Sequence, residues 1–161
     1  MRPVLAALVV SLAGATSALA ASMPAAFAVE GRETLLSVHA EGAQVYECKA
    51  GPSGALAWGF REPVATLIKD GMTVGRHFAG PGWQIGEDLF KGKLAASTPG
   101  AKAGDIPWLK LDVADHQGAG PLKGATLILR VETHGGAFAG ACETAGAFHA
   151  EPYSAEYVFV R

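Results

Sequence analysis

From Leu35 onward the chain is written in short apolar or alternating segments broken by glycine or proline roughly every 8 to 12 residues, a spacing that fits antiparallel strands and little else. Successive side chains of a strand point to opposite faces. In Gln44-Val45-Tyr46-Glu47-Cys48 that rule puts Tyr46 and Cys48 together, and in Tyr153-Ser154-Ala155-Glu156-Tyr157-Val158-Phe159 it gathers Tyr153, Ala155, Tyr157 and Phe159 on one face. Further strands are expected near 55–61, 64–69, 73–79, 82–87, 107–113, 124–133 and 137–143. Turns are expected at Gly51-Pro52-Ser53-Gly54, Asp70-Gly71 and Gly135-Gly136, and a loop at 96–105. Helical periodicity is hard to find, and no internal repeat is seen. The expected fold is all-β, a small antiparallel sandwich or flattened barrel.

The N-terminus reads as an export signal. Arg2 precedes the apolar stretch Val4 to Val10, and the segment ends in Ala18-Leu19-Ala20, whose small side chains suit signal peptidase cleavage after Ala20. A spanning helix needs about 20 apolar residues, more than this run offers, and no cysteine follows the site to carry a lipid. The sequence thus divides into a signal peptide (1–20), a flexible lead-in (21–34) and a single β-rich domain (35–161), with a secreted or periplasmic location. An outer-membrane barrel is disfavoured, because most segments are shorter than the roughly 9 to 11 alternating residues a spanning strand requires.

Loss of the leader removes Arg2 from 13 basic residues against 15 acidic ones, so the mature chain is mildly acidic. No basic cluster exists, and nucleic acid is not an expected partner. There is no asparagine and hence no N-linked glycan acceptor. The two cysteines, Cys48 and Cys142, are expected to form a disulfide in an oxidising compartment. It would close a loop of about 95 residues, worth about 4.5 kcal/mol in the chain-entropy view.

Catalytic motifs fail for specific reasons. Gly51-Pro52-Ser53-Gly54-Ala55 lacks the last glycine of a nucleophile elbow, and the stretch from Gly86 to Lys93 is followed by Leu94 and has the wrong spacing for a phosphate loop. His39, His77, His116, His134 and His149 show no ligand spacing, so neither a metal nor a cofactor is expected. Glu132 and His134 share a strand face and would suit acid/base work, but a solvated edge before Gly135-Gly136 is the simpler reading. Asp112, Asp115 and His116 are too few for a calcium site.

Five motifs stand out: Gly42-Ala43-Gln44-Val45-Tyr46-Glu47-Cys48, His77-Phe78-Ala79-Gly80-Pro81-Gly82-Trp83, Ile106-Pro107-Trp108-Leu109, Arg130-Val131-Glu132-Thr133-His134-Gly135-Gly136 and Tyr153-Ser154-Ala155-Glu156-Tyr157. In this order, and with Cys142, they resemble a family of exported bacterial and fungal proteins known as a domain of unknown function. The resemblance covers about residues 40 to 160 and implies no activity. Some fungal members carry a malate dehydrogenase label, yet this chain has no dinucleotide fingerprint and is too short and too β-rich for that fold. It also departs from the family pattern, with Gln84 where an acid commonly follows the tryptophan and Glu87-Asp88-Leu89 where an Asp-Gly-Ser turn is usual.

Four motif residues are of types that contact ligands: His77 and Arg130 can hydrogen-bond anions, and the indoles of Trp83 and Trp108 can stack on rings or cations. The competing reading makes both tryptophans core plugs and ties Arg130 to a loop carbonyl. The leading functional expectation is a non-enzymatic module that binds a small ligand, a glycan, or an envelope or protein partner. The alternatives are a small cofactor-free, hydrolase-like envelope enzyme using His77 and a secreted inhibitor presenting loop 96–105. An enzyme should show His77 in a cleft beside an acid or hydroxyl.

Overall fold

The computed structural model describes residues 23–161; the expected signal peptide lies outside them. Eight antiparallel strands close into a barrel in simple chain order. They are β1 (Thr34–Ala50), β2 (Leu56–Lys69), β3 (Met72–Phe78), β4 (Gly82–Ile85), β5 (Asp88–Thr98), β6 (Trp108–Gln117), β7 (Leu127–Gly135) and β8 (Phe148–Val160). Each strand pairs with its neighbour, and β8 returns to pair with β1 from Thr34↔Val160 to Glu47↔Phe148. Of the two shapes left open by the strand pattern, the closed barrel is the one formed, and closure removes most of the sheet edge a sandwich would keep.

Alternation decides what lies inside. Val38 and Ala40 of β1, Leu67 of β2, Phe90 of β5, Leu111 of β6, Ile128 of β7, and Tyr153, Ala155, Tyr157 and Phe159 of β8 form one buried cluster. The residues between them carry polar groups outward, among them His39, Glu41, Thr66, Lys110 and Glu156. Outside the barrel a second, smaller cluster forms, in which Phe27 of a short 3-10 turn (Ala25–Phe27) is fully buried with Leu129 and Val131, flanked by Trp108 and Val158.

The barrel has two unlike ends. At one end the β6–β7 connection folds across the opening and inserts Leu122 and Ala125 into the core. This cap is held by Asp88, a fully buried carboxylate that accepts hydrogen bonds from the backbone N–H groups of Gly120 (3.2 Å) and Leu122 (3.0 Å) and from His116 Nε2 (2.8 Å). Gly120 is required there, since any side chain would collide with the Asp88 carboxylate. At the other end lie the β1–β2 turn, the β3–β4 turn and the β5–β6 and β7–β8 loops. The Cys48–Cys142 disulfide, with Cα atoms 5.9 Å apart, fastens the end of β1 to the β7–β8 loop.

This second end is also incomplete as a cylinder. β2 starts pairing with β3 only at Ala65↔His77, and the β7–β8 loop meets β2 only at its start, through the Ala57↔Ala141 bridge and the Trp58 N–H to Gly140 carbonyl bond. Among the described residues, 59–64 therefore have no ladder partner on the side facing β3. Pro63, which has no N–H to donate, occupies that unpaired stretch.

Three strand expectations need correction. Segments 55–61 and 64–69 are one strand, β2, which passes through Pro63 because its free edge requires no donor there. Residues 88–98 form β5, whose last part runs into the expected loop 96–105. Residues 137–143 are irregular, held by a single bridge rather than a ladder.

Candidate mouth cavity of the barrel

An eight-stranded barrel has an interior just wide enough to be filled by side chains or to hold one small ligand. This one does both. The half near Asp88 is packed; the other half contains a cavity of about 470 Å³ opening beside the unpaired stretch of β2. Tyr46, Phe60, Pro63, Ile106, Pro107 and Leu109 give it a mainly apolar wall, and Gln44, Arg61, His77 and Arg130 supply polar groups.

His77 and Arg130 thus share one cavity. His77 is only 3% exposed. Its Nδ1 lies 2.8 Å from the Gly82 carbonyl, which fixes the proton on Nδ1 and leaves Nε2 as a lone-pair acceptor. The ring stacks on Trp83, its register partner across the β3–β4 hairpin, at 4.6 Å and 13°, and tilts against Tyr157 at 4.9 Å. Burial, with a smaller contribution from the nearby Arg130 charge, lowers its pKa to about 4 despite the opposing Gly82 hydrogen bond. The imidazole is therefore neutral at ordinary pH.

Arg130 sits on the inward face of β7 and is 9% exposed. Both its Nε (3.0 Å) and Nη2 (2.8 Å) donate to one acceptor, the Pro107 carbonyl. Among the described residues no carboxylate pairs with it. Gln44 is 3% exposed and its Nε2 has no partner; the buried Tyr153 and Tyr157 hydroxyls lie beside each other, and Tyr157 beside Arg130, without close hydrogen-bond geometry. Burial raises the pKa of both phenols, so neither releases a proton near neutral pH.

The rim is firmly tied. Tyr46 donates to the Gly136 carbonyl (2.7 Å) and accepts from the Phe138 N–H (3.2 Å); Gly136 adopts φ 84°, a conformation that favours glycine. Thr133 donates to the Ile106 carbonyl at 2.6 Å. Asp105 accepts from the Gly135 N–H (2.8 Å) and the Lys102 N–H (3.0 Å), and these bonds, led by the first, hold its carboxyl below the usual range.

The tryptophans do not line the cavity. Trp83 is a core residue behind His77, and Trp108 points out of the barrel against Phe27 at 6.4 Å. Glu132 has φ 50° and, with His134, faces solvent outside the barrel; a bulge separates Val131 from His134 in the pairing with β8. His116 of the Asp112, Asp115 and His116 group serves Asp88, and among the described residues no group of three or more metal-ligating side chains occurs. The cavity residues not singled out from sequence include Gln44, Tyr46, Phe60, Pro63 and Leu109. A signal for two of them existed, since Gln44 and Tyr46 alternate with Cys48 on one face.

No curated protein and no solved structure matches the sequence. The family described as "Protein of unknown function (DUF3455)" does, over residues 29–73 and 69–161. With nearly all of the described chain covered, the protein belongs to that family.

Proposed function

We propose that this protein is an exported, non-enzymatic binding module that holds one small ligand in the mouth of its barrel. The observation that carries the reading is the contrast within one interior: one half is occupied by the buried apolar cluster, and the other half keeps a cavity of about 470 Å³, within the roughly 300–1,000 Å³ range of small-molecule sites. Its apolar wall and few converging polar groups are the usual composition of such sites. The apolar leader at residues 4–10 and the Cys48–Cys142 disulfide support export to an oxidising compartment. An apolar interior and charged exterior reverse the pattern of a membrane-spanning barrel. Among the described residues no helix is long and apolar enough to cross a membrane.

The hydrolase-like alternative has less support. His77 is hydrogen-bonded to a backbone carbonyl, and among the described residues no carboxylate or hydroxyl bonds to it, so nothing orients it as a general base toward a nucleophile.

The test uses N-phenyl-1-naphthylamine, an uncharged dye that brightens in apolar surroundings. Saturable one-to-one binding to the folded protein is expected, and Leu109→Trp, which fills the cavity, should abolish it. Absence of dye binding, or binding unchanged in a folded Leu109→Trp variant, would contradict the reading.

A further inference from the structure

Resting on that reading, we infer that the mouth cavity selects ligands carrying a carboxylate, which Arg130 grips with Gln44 beside it. A buried charge is costly unless it is paired, and among the described residues the barrel buries one charge of each sign. Asp88, at the packed end, is met by three donors. Arg130, at the open end, meets no carboxylate among the described residues: it donates to the Pro107 carbonyl and lies beside the Tyr157 hydroxyl. A guanidinium carries five N–H donors. Two converge on Pro107; the rest are met by no carboxylate among the described residues, and the Nη1–Nη2 end of the fork has the planar geometry that matches one.

Two further observations point the same way. Gln44 is almost fully buried, lines the same cavity, and has a buried amide nitrogen with no hydrogen-bond partner. The other guanidinium on the cavity, Arg61, is already engaged: Nε contacts Glu62 at 3.1 Å, Nη1 lies 4.0 Å from Glu47, and the group covers the Phe148 ring at 4.8 Å. Arg130 is thus the cavity cation without an acidic partner among the described residues. Its charge reaches into the cavity, since it opposes protonation of His77. The remaining wall, with Tyr46, Phe60, Pro63 and Leu109, suits an apolar body behind the acid group.

The experiment measures displacement of bound N-phenyl-1-naphthylamine by octanoate and by octanamide, which share a chain and differ in charge. Octanoate should displace the dye at a concentration at least tenfold lower than octanamide. Arg130→Met should remove that difference while leaving octanamide unchanged. Arg130→Lys, which keeps the charge but loses the fork, should fall between and remains informative should Arg130→Met not fold. Equal displacement by the two probes, or a preference for octanoate that survives in Arg130→Met, would overturn the inference and leave the binding reading standing. Failure of the dye to bind the wild-type protein would overturn both.

Discussion

The two ends of this barrel treat a buried charge in opposite ways. At the packed end the Asp88 carboxylate is enclosed by Gly120, Leu122 and His116, and its bonds lock a loop that drops Leu122 into the core. At the open end a second aspartate, Asp105, also fastens a loop, but the neighbouring Ile106, though buried, forms a wall of the cavity and does not fill it. Beside that space are Arg130, which no carboxylate meets among the described residues, and Gln44 with an unpaired amide nitrogen. The buried charge at one end is enclosed by donors and serves stability; the buried charge at the other end borders the cavity without an acidic partner among the described residues.

The sharpest way to break this contrast is at Asp88. Asp88→Ala strands the buried Leu122 N–H, the part-buried Gly120 N–H and His116, and should lower unfolding free energy by about 4 kcal/mol in urea titrations, because removing one partner of a buried polar network leaves the others unpaired. A loss below about 1 kcal/mol would mean that the cap does not depend on this carboxylate. The disulfide should matter slightly less. Cys48→Ala with Cys142→Ala is expected to destabilise by about 3 kcal/mol, less than the ideal value for a sequence separation of 94. Thiol labelling of the unfolded, unreduced protein should detect no free sulfhydryl.

The third effect is a pH dependence with a definite sign. His77 has a folded pKa of about 4 against 6.5 for an ordinary solvated imidazole, so the unfolded chain binds the extra proton first as pH falls. The stabilisation is complete above pH 6.5 and is lost between there and pH 4, amounting to about 3 kcal/mol. His39, outside the barrel, shifts the other way because Glu41 and Glu156 hydrogen-bond to its ring. Its stabilisation is present below pH 6.5 and fades as pH rises through its raised pKa. Stability measured from pH 7 to 4 should therefore fall more steeply in the wild-type protein than in His77→Phe; parallel curves would count against the neutral, buried imidazole.

Smallest is the expected effect of Arg130→Met on stability, within about 1 kcal/mol, since replacing a buried charge by an apolar side chain of similar length is often neutral. A loss of several kcal/mol would show that Arg130 is chiefly a structural tie to Pro107.

Much of this barrel is legible in the sequence where one face is buried. The alternation of Tyr153, Ala155, Tyr157 and Phe159 is the clearest case, and the Asp70-Gly71 turn, with φ of 51° and 77°, closes the β2–β3 hairpin as Asp-Gly pairs favour. β5 is hard to read because bulges at Lys91/Gly92 and Leu94/Ala96 break its period and most of its outer half is exposed. The continuity of β2 is hidden by Pro63, a residue that ordinarily argues against a central strand and here reports an unpaired edge. For the site, residue chemistry alone singles out His77 and Arg130, which the fold brings to one cavity. The same chemistry suggests the tryptophans equally, and only their places in the fold separate them, Trp83 sharing the inward face of His77 but buried in the core and Trp108 facing outward. Trp83 packs behind His77 and Trp108 lies outside against Phe27.

Where a ligand sits tests the division between the two ends most directly. Backbone and side-chain NMR signals recorded during titration with N-phenyl-1-naphthylamine should move at Tyr46, His77, Leu109 and Arg130 and stay fixed at Asp88, His116 and Leu122. Shifts at the Asp88 end, or confined to the exposed outer residues Val64 and Phe148, would contradict it.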